Sequence, residues 1–225
     1  MVSHVFRAPR QQGQLASAEN PAEHRFDTNP TVLPDTDMLS WQPIILIRNP
    51  IAVFESWLRV EGRPYPEVNS ALGRIYTTLK HQRRIFDWYH HRQQNRDDAL
   101  TEAKAPIVLD ADDLIEDREA LYKLCSSTGM CTDELILEWE AKVNSGTPSE
   151  GNLQHLQHLQ QFEPFFRTIW NSTGVDRSKM AKDLDLANKQ AEWLAMFGVD
   201  RATQLVERVN ESWPDYEYLR SFRLC

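Results

Sequence analysis

The sequence predicts an α/β fold, one domain in which a parallel sheet is covered by helices. Two short runs carry this reading: Pro43-Ile44-Ile45-Leu46-Ile47 and Pro106-Ile107-Val108-Leu109, continuous, apolar and rich in β-branched residues. Runs of this kind are too short for helices and suit strands buried on both faces of a parallel sheet. Each is followed at once by a helix start, and strands alternating with helices imply parallel pairing through crossover connections. A third observation extends the reading: from Thr132 onward the patterns are almost all helical, which makes residues 132–225 mainly helical cover over an α/β core at 41–131.

Taken in order, residues 1–40 carry scattered Pro, Gln, Asn and Asp and read as largely irregular, with room for a short strand at 2–7. After the first apolar run, Asn49-Pro50 is a helix start, since Asn caps free amides and Pro at the first helical position lacks a donor that would be unsatisfied anyway. Ile51, Phe54 and Leu58, with Val53 and Trp57, then give a helix-spaced apolar face. Val68, Leu72, Ile75, Leu79, Ile85, Phe86 and Tyr89 keep that spacing and predict one long helix over 66–95 with a basic outer face of Arg83, Arg84, His90 and Arg92. Asp112-Asp113-Leu114 opens a turn into a helix at 118–127 that stops at Gly129. Further helices are predicted at 134–143, 153–170, 179–196 and 201–209, and Ser212-Trp213-Pro214-Asp215-Tyr216 ends the series ahead of an aromatic tail packed on the domain.

The 225 residues, 41% hydrophobic and 26% charged, fit a single domain spanning 1–225 with a real core. Twenty-five basic against 33 acidic side chains leave a net charge of −8, which disfavours nucleic acid as a partner. The longest apolar runs fall far short of the roughly 20 residues of a membrane span, and the first ten residues lack a secretory apolar core. Cys125, Cys131 and Cys225 are odd in number and lack metal-ligand spacing, so reduced thiols and a cytoplasmic location are expected, with no metal site.

The densest chemical signal is Ile47-Arg48-Asn49-Pro50-Ile51-Ala52-Val53-Phe54-Glu55-Ser56. An Arg leaving a strand offers a planar fork of donors, and a hydroxyl two helical turns on can complete a phosphate clamp. Amides at the helix start add favourable dipole charge. On the residues alone, a strand-end ion pair for Arg48 and an ordinary helix position for Ser56 remain equally open.

At this point the sequence resembles the sulfotransferase family, whose second nucleotide motif is a strand ending in Arg, a turn, and a helix with Ser eight positions after that Arg; Arg48 and Ser56 have that spacing. Asn29-Pro30-Thr31-Val32-Leu33-Pro34-Asp35 before it and Val108-Leu109-Asp110-Ala111-Asp112-Asp113-Leu114 after it are similar to the same family. Trp139, Ser172-Thr173-Gly174 and Trp213-Pro214-Asp215-Tyr216 are similar to a divergent fungal branch, so the resemblance covers residues 29–220. It implies a sheet of the P-loop nucleotide-fold type, with Arg48 and Ser56 holding the 3′-phosphate of 3′-phosphoadenosine 5′-phosphosulfate. It further implies transfer of a sulfonyl group to a small-molecule hydroxyl, as in tailoring a fungal secondary metabolite. His4 lies similarly to the family's catalytic His and is the candidate general base, a role His suits near neutral pH.

The sequence also departs from that family. No Gly/Ser/Thr-rich phosphate loop precedes Pro43, so the reading expects the first strand and its loop to be missing, and full activity from this chain alone is not expected. Two alternatives follow: a repurposed donor-free enzyme such as a cyclase or isomerase, and a non-catalytic truncated homologue. Loss of a strand would bare a sheet edge and invite pairing with another chain or a second copy.

Other candidates carry less. Gly146-Thr147-Pro148-Ser149-Glu150-Gly151 echoes a glycine loop but lacks Lys. His24 has a weaker case than His4, and His155 and His158 sit one turn apart without a third ligand, which reads as a solvated helix face. Arg83, Arg84, His90, His91 and Arg92 are interleaved with Phe86, Trp88 and Tyr89, which helical spacing turns inward. Cys125 reads as a core thiol.

Overall fold

The computed structural model describes residues 28–60, 66–94, 104–141 and 171–224. The approach to the first strand is more ordered than its composition suggests. Asn29 folds it: its amide nitrogen donates to the Leu33 carbonyl at 2.8 Å and to Asp35 at 2.9 Å, while its oxygen accepts from the Thr31 amide and hydroxyl. Helix α1, Asp35–Ser40, follows, and its buried Met38 packs on Trp88 and Tyr89.

Strand β1, Ile44–Ile47, buries alternate residues: Ile45 and Ile47 face the core, while Ile44 and Leu46 are 46% and 55% exposed. The expected burial on both faces therefore does not hold for this strand. Helix α2, Pro50–Val60, packs Ile51, Phe54, Trp57 and Leu58 into the larger of the apolar clusters.

The predicted long helix over 66–95 is two helices, α3 at Ala71–Tyr76 and α4 at Lys80–Gln94. Side-chain oxygens cut the pattern. Ser70 accepts from the Gly73 amide and starts α3; Thr77 donates its hydroxyl to the Gly73 carbonyl and ends it; Thr78 then accepts from the Lys80 amide and starts α4. Nor is the outer face of α4 a free basic surface. Arg83 pairs with Asp87 and Asp215 and lies over the Tyr218 ring, and Arg92 pairs with Asp35. Phe86, Trp88 and Tyr89 are buried as expected.

Strand β2, Ile107–Asp110, pairs in parallel with β1 in the register Ile44 with Ile107 through Ile47 with Asp110, and all four of its residues are buried. On its other side Val108 bridges Arg223, and the Leu224 amide donates to the Val108 carbonyl at 2.8 Å. Helix α5, Ala111–Glu116, and helix α6, Arg118–Thr128, follow, the latter closed by Gly129 in the left-handed region at φ 74°. Cys125 is buried in α6, a core thiol as predicted.

The helix predicted at 134–143 is not formed over its described part. A 3₁₀ turn at Thr132–Glu134 gives way to extended chain, with Glu138 bridging Gly174 in antiparallel sense. A second 3₁₀ turn, Arg177–Lys179, leads to helix α7, Leu186–Phe197, which begins later than the predicted 179. Helix α8, Val199–Arg220, runs through Pro214. Trp213-Pro214 was expected to stop it, but the carbonyl a proline leaves free is that of the residue four before, and Asn210 lies on the exposed side where water can serve it. The tail expected to pack on the domain does so as the end of this helix, with Tyr216 and Leu219 in the cluster under the sheet.

Candidate functional site

In parallel α/β sheets, ligands gather beyond the carboxyl ends of the strands, and here β1 ends at Ile47 and β2 at Asp110. Arg48 is therefore the first residue past one strand, and Asp112 stands two beyond the other.

Local sequence builds the turn after β1. Buried Asn49 accepts from the Ile51 amide at 2.9 Å, while its own amide donates to the Ala181 carbonyl at 2.9 Å. The amide expected to face an anion at the start of α2 is thus already satisfied, so any anion here depends on side chains and the helix dipole. Half-buried Arg48 donates from Nη2 to the Lys179 carbonyl, and its Nε is buried without a hydrogen-bond partner. A guanidinium carries five N–H donors, and among the described residues Arg48 makes no ion pair, so the expected alternative of a strand-end salt bridge is not formed. Ser56 stands exposed on α2, roughly 9 Å along the helix axis from Pro50 at about 1.5 Å per residue.

Beyond β2, Asp110 and Asp112 are both buried. Asp110 caps α5 by accepting from the Asp112 amide at 3.0 Å, takes the Tyr216 hydroxyl at 2.8 Å, and lies 3.4 Å from Arg220. Asp112 accepts from the Ala181 amide through both oxygens, at 3.0 and 3.1 Å. Burial pushes the Asp112 carboxyl above the ordinary carboxylate value; the Ala181 amide works against this, the Asp110 charge adds to it, and the charges of Arg48 and Arg220 oppose it. Burial also raises the Tyr216 phenol, helped by its bond to Asp110. The result is a rigid pad in which the segment at 179–181 is clamped by Arg48, Asn49 and Asp112 across the ends of both strands.

The sequence reading missed this clamp. Nothing local in Asp110-Ala111-Asp112-Asp113 assigns Asp112 its distant partner. The signal available was a pair of carboxylates two apart immediately after a strand, one a helix cap and the other free for a long-range partner. Of the predicted site residues, Arg48 and Ser56 are placed as described, and His4 lies outside the described residues, as do His24, His155, His158 and the 146–151 segment.

A cleft of about 470 Å³ opens between α5, the start of α6 and the segments around Trp139 and Gly174. Leu114, Leu121, Leu137 and Val175 line it, with Trp139, Arg118 and Arg177 among its walls. Among the described residues no group of three His, Cys, Asp or Glu could hold a metal ion, and no helix is long and apolar enough to cross a membrane.

No protein-family model and no solved structure matches the chain. Two fungal proteins do. The sulfotransferase ppzF of Metarhizium majus is 30% identical over 208 residues, covering 87% of this chain and 56% of that protein. Over most of its own length the chain is similar to a fungal sulfotransferase. The sulfotransferase ppzF of Metarhizium rileyi is 28% identical to it over 205 residues, again 87% of this chain and 56% of the relative. The chain thus spans little more than half the length of the relatives it matches. Its parallel strands and covering helices agree with an α/β fold.

Proposed function

We propose that this chain takes part in sulfonyl transfer from 3′-phosphoadenosine 5′-phosphosulfate to a small-molecule hydroxyl, with Arg48 and Ser56 as the anchor for the nucleotide's 3′-phosphate. The observation that supports this reading is the uncommitted donor capacity of Arg48. Its guanidinium sits at the carboxyl end of β1, held in place through one nitrogen by the Lys179 carbonyl, with Nε buried and unpartnered. Arg and phosphate oxygens pair strongly because both are charged and the fork matches the spacing of two oxygens. The spare donors and the exposed Ser56 hydroxyl fit a phosphate group.

The donor, when bound, supplies the sulfonyl group. The tasks left to the protein are positioning and proton handling. The pad of Arg48, Asn49 and Asp112 keeps the anchor from moving, and fixed geometry supplies much of the rate in such transfers. His4 is proposed to accept the proton from the acceptor hydroxyl. Tailoring of a secondary metabolite is the proposed setting.

The test is a calorimetric titration with 3′,5′-adenosine bisphosphate. Micromolar binding is expected, falling at least about 100-fold in Arg48→Ala as a charge-assisted anchor is removed, with a smaller loss in Ser56→Ala. A folded chain that does not bind the nucleotide would sink the reading and leave a donor-free or non-catalytic role.

A further inference from the structure

Two short motifs, Trp139 and Ser172-Thr173-Gly174, lie more than 30 residues apart and have no task in the anchor just described. The fold joins them. The Trp139 amide donates to the Thr173 carbonyl at 3.0 Å and its indole Nε1 to the Ser172 hydroxyl at 3.2 Å, while Glu138 bridges Gly174. Gly174 eases that approach, since a Cβ there would lie 3.3 Å from the Leu137 carbonyl oxygen, a tight contact. The two segments form one wall of the 470 Å³ cleft, and α5 with the start of α6 forms the other. That volume lies within the range of small-molecule sites.

The lining chemistry is specific. Leu114, Leu121, Leu137 and Val175 make it apolar, and Trp139 remains 41% exposed although both of its nitrogens are hydrogen-bonded. An indole held by its polar edges offers a fixed flat face for stacking. Charge is unbalanced. Glu116 is committed to Lys182, whereas Arg118 and Arg177 form no ion pair among the described residues, leaving two cations against Glu138 alone. The same 3₁₀ turn that carries Arg177 carries Lys179, whose carbonyl holds Arg48.

We propose that this cleft binds a planar aromatic molecule bearing one negative charge, its ring on Trp139 and its anionic group toward Arg177 and Arg118. Its role as the seat of the hydroxyl acceptor rests on the transfer reading above; the binding itself does not. The acceptor class so named is a phenol carrying a carboxylate.

The test uses 4-hydroxybenzoate as probe with the full chain, by calorimetry or ligand-observed NMR, without any nucleotide. Sub-millimolar binding is expected. It should weaken roughly ten-fold for the neutral methyl ester and in each of Trp139→Ala and Arg177→Gln, in line with the usual worth of aromatic and charge contacts. Tyramine, a cation of like shape, should not bind. The proposal is overturned if ester and acid bind equally, or if folded Trp139→Ala and Arg177→Gln, checked by circular dichroism melts, bind as the parent does. Displacement of the probe by 3′,5′-adenosine bisphosphate would overturn it too, by making the cleft a nucleotide site. Normal probe binding in a chain that ignores the bisphosphate would leave the cleft standing and remove only the transfer reading.

Discussion

Glu55 shows what one buried carboxylate does here. It is 8% exposed, accepts from the Trp193 indole at 3.0 Å, pairs with Arg59 and lies 3.2 Å from Lys189, so α2 and α7 share it. Burial works to raise its carboxyl, but the Trp193 hydrogen bond and the charges of Arg59 and Lys189 outweigh that and hold it below the ordinary value. Glu55→Ala would leave Trp193 Nε1 buried without an acceptor and Lys189 without this partner, so a loss of about 2–4 kcal/mol is expected in denaturant unfolding. A lowered folded-state value means the stabilisation is present above the unfolded value, near 4.3, and is lost as pH falls through the folded one. The parent's stability should drop more steeply below that pH than the variant's. Asp112 has the opposite sign, its raised value making its contribution greatest in acid and smallest at neutral pH. The carboxylate that clamps the site is thus tolerated at neutral pH at a cost, whereas the one between the helices stabilises.

Helix breaks are the elements that sequence periodicity conceals. The apolar spacing across 66–95 runs over the α3–α4 junction in sequence, yet Leu72 and Ile75 stand exposed on α3, and Ser70, Thr77 and Thr78 cut the backbone ladder. Gly73 fixes the first of these helices: a Cβ there would sit 2.2 Å from the Val68 carbonyl oxygen, which is backbone and cannot swing away. Gly73→Ala should therefore cost at least about 2 kcal/mol by thermal or denaturant unfolding, although alanine favours helices elsewhere. The strands and α2 were legible because each is decided locally, by a β-branched run or by Asn49-Pro50. The extended chain at 135–141 was not legible, since its partner Gly174 lies far along the sequence and nothing local announces the bridge. The site divides the same way. Arg48 and Ser56 are candidates on their spacing and the family resemblance, whereas the clamp through Ala181 depends on contacts more than 60 residues apart.

At the scale of the molecule, β1 is asymmetric. Its inner face joins the cluster under the sheet, while Ile44 and Leu46 look outward and, among the described residues, no strand pairs with its second edge. Apolar surface beside an open edge favours association. Sedimentation velocity should show mass rising with concentration, and Leu46→Lys should suppress this with little change in unfolding midpoint; a parent that stays monomeric at high concentration would refute the idea. The tie between Trp139 and Thr173 has a consequence of another kind. This hydrogen bond joins residues far apart in sequence, and the entropy cost of bringing two such points of a chain together varies only by about 0.6 kcal/mol for each doubling of the length between them. The join is thereby nearly indifferent to the number of residues it closes over, so a change in that number would leave Glu138 opposite Gly174 and the cleft wall in register.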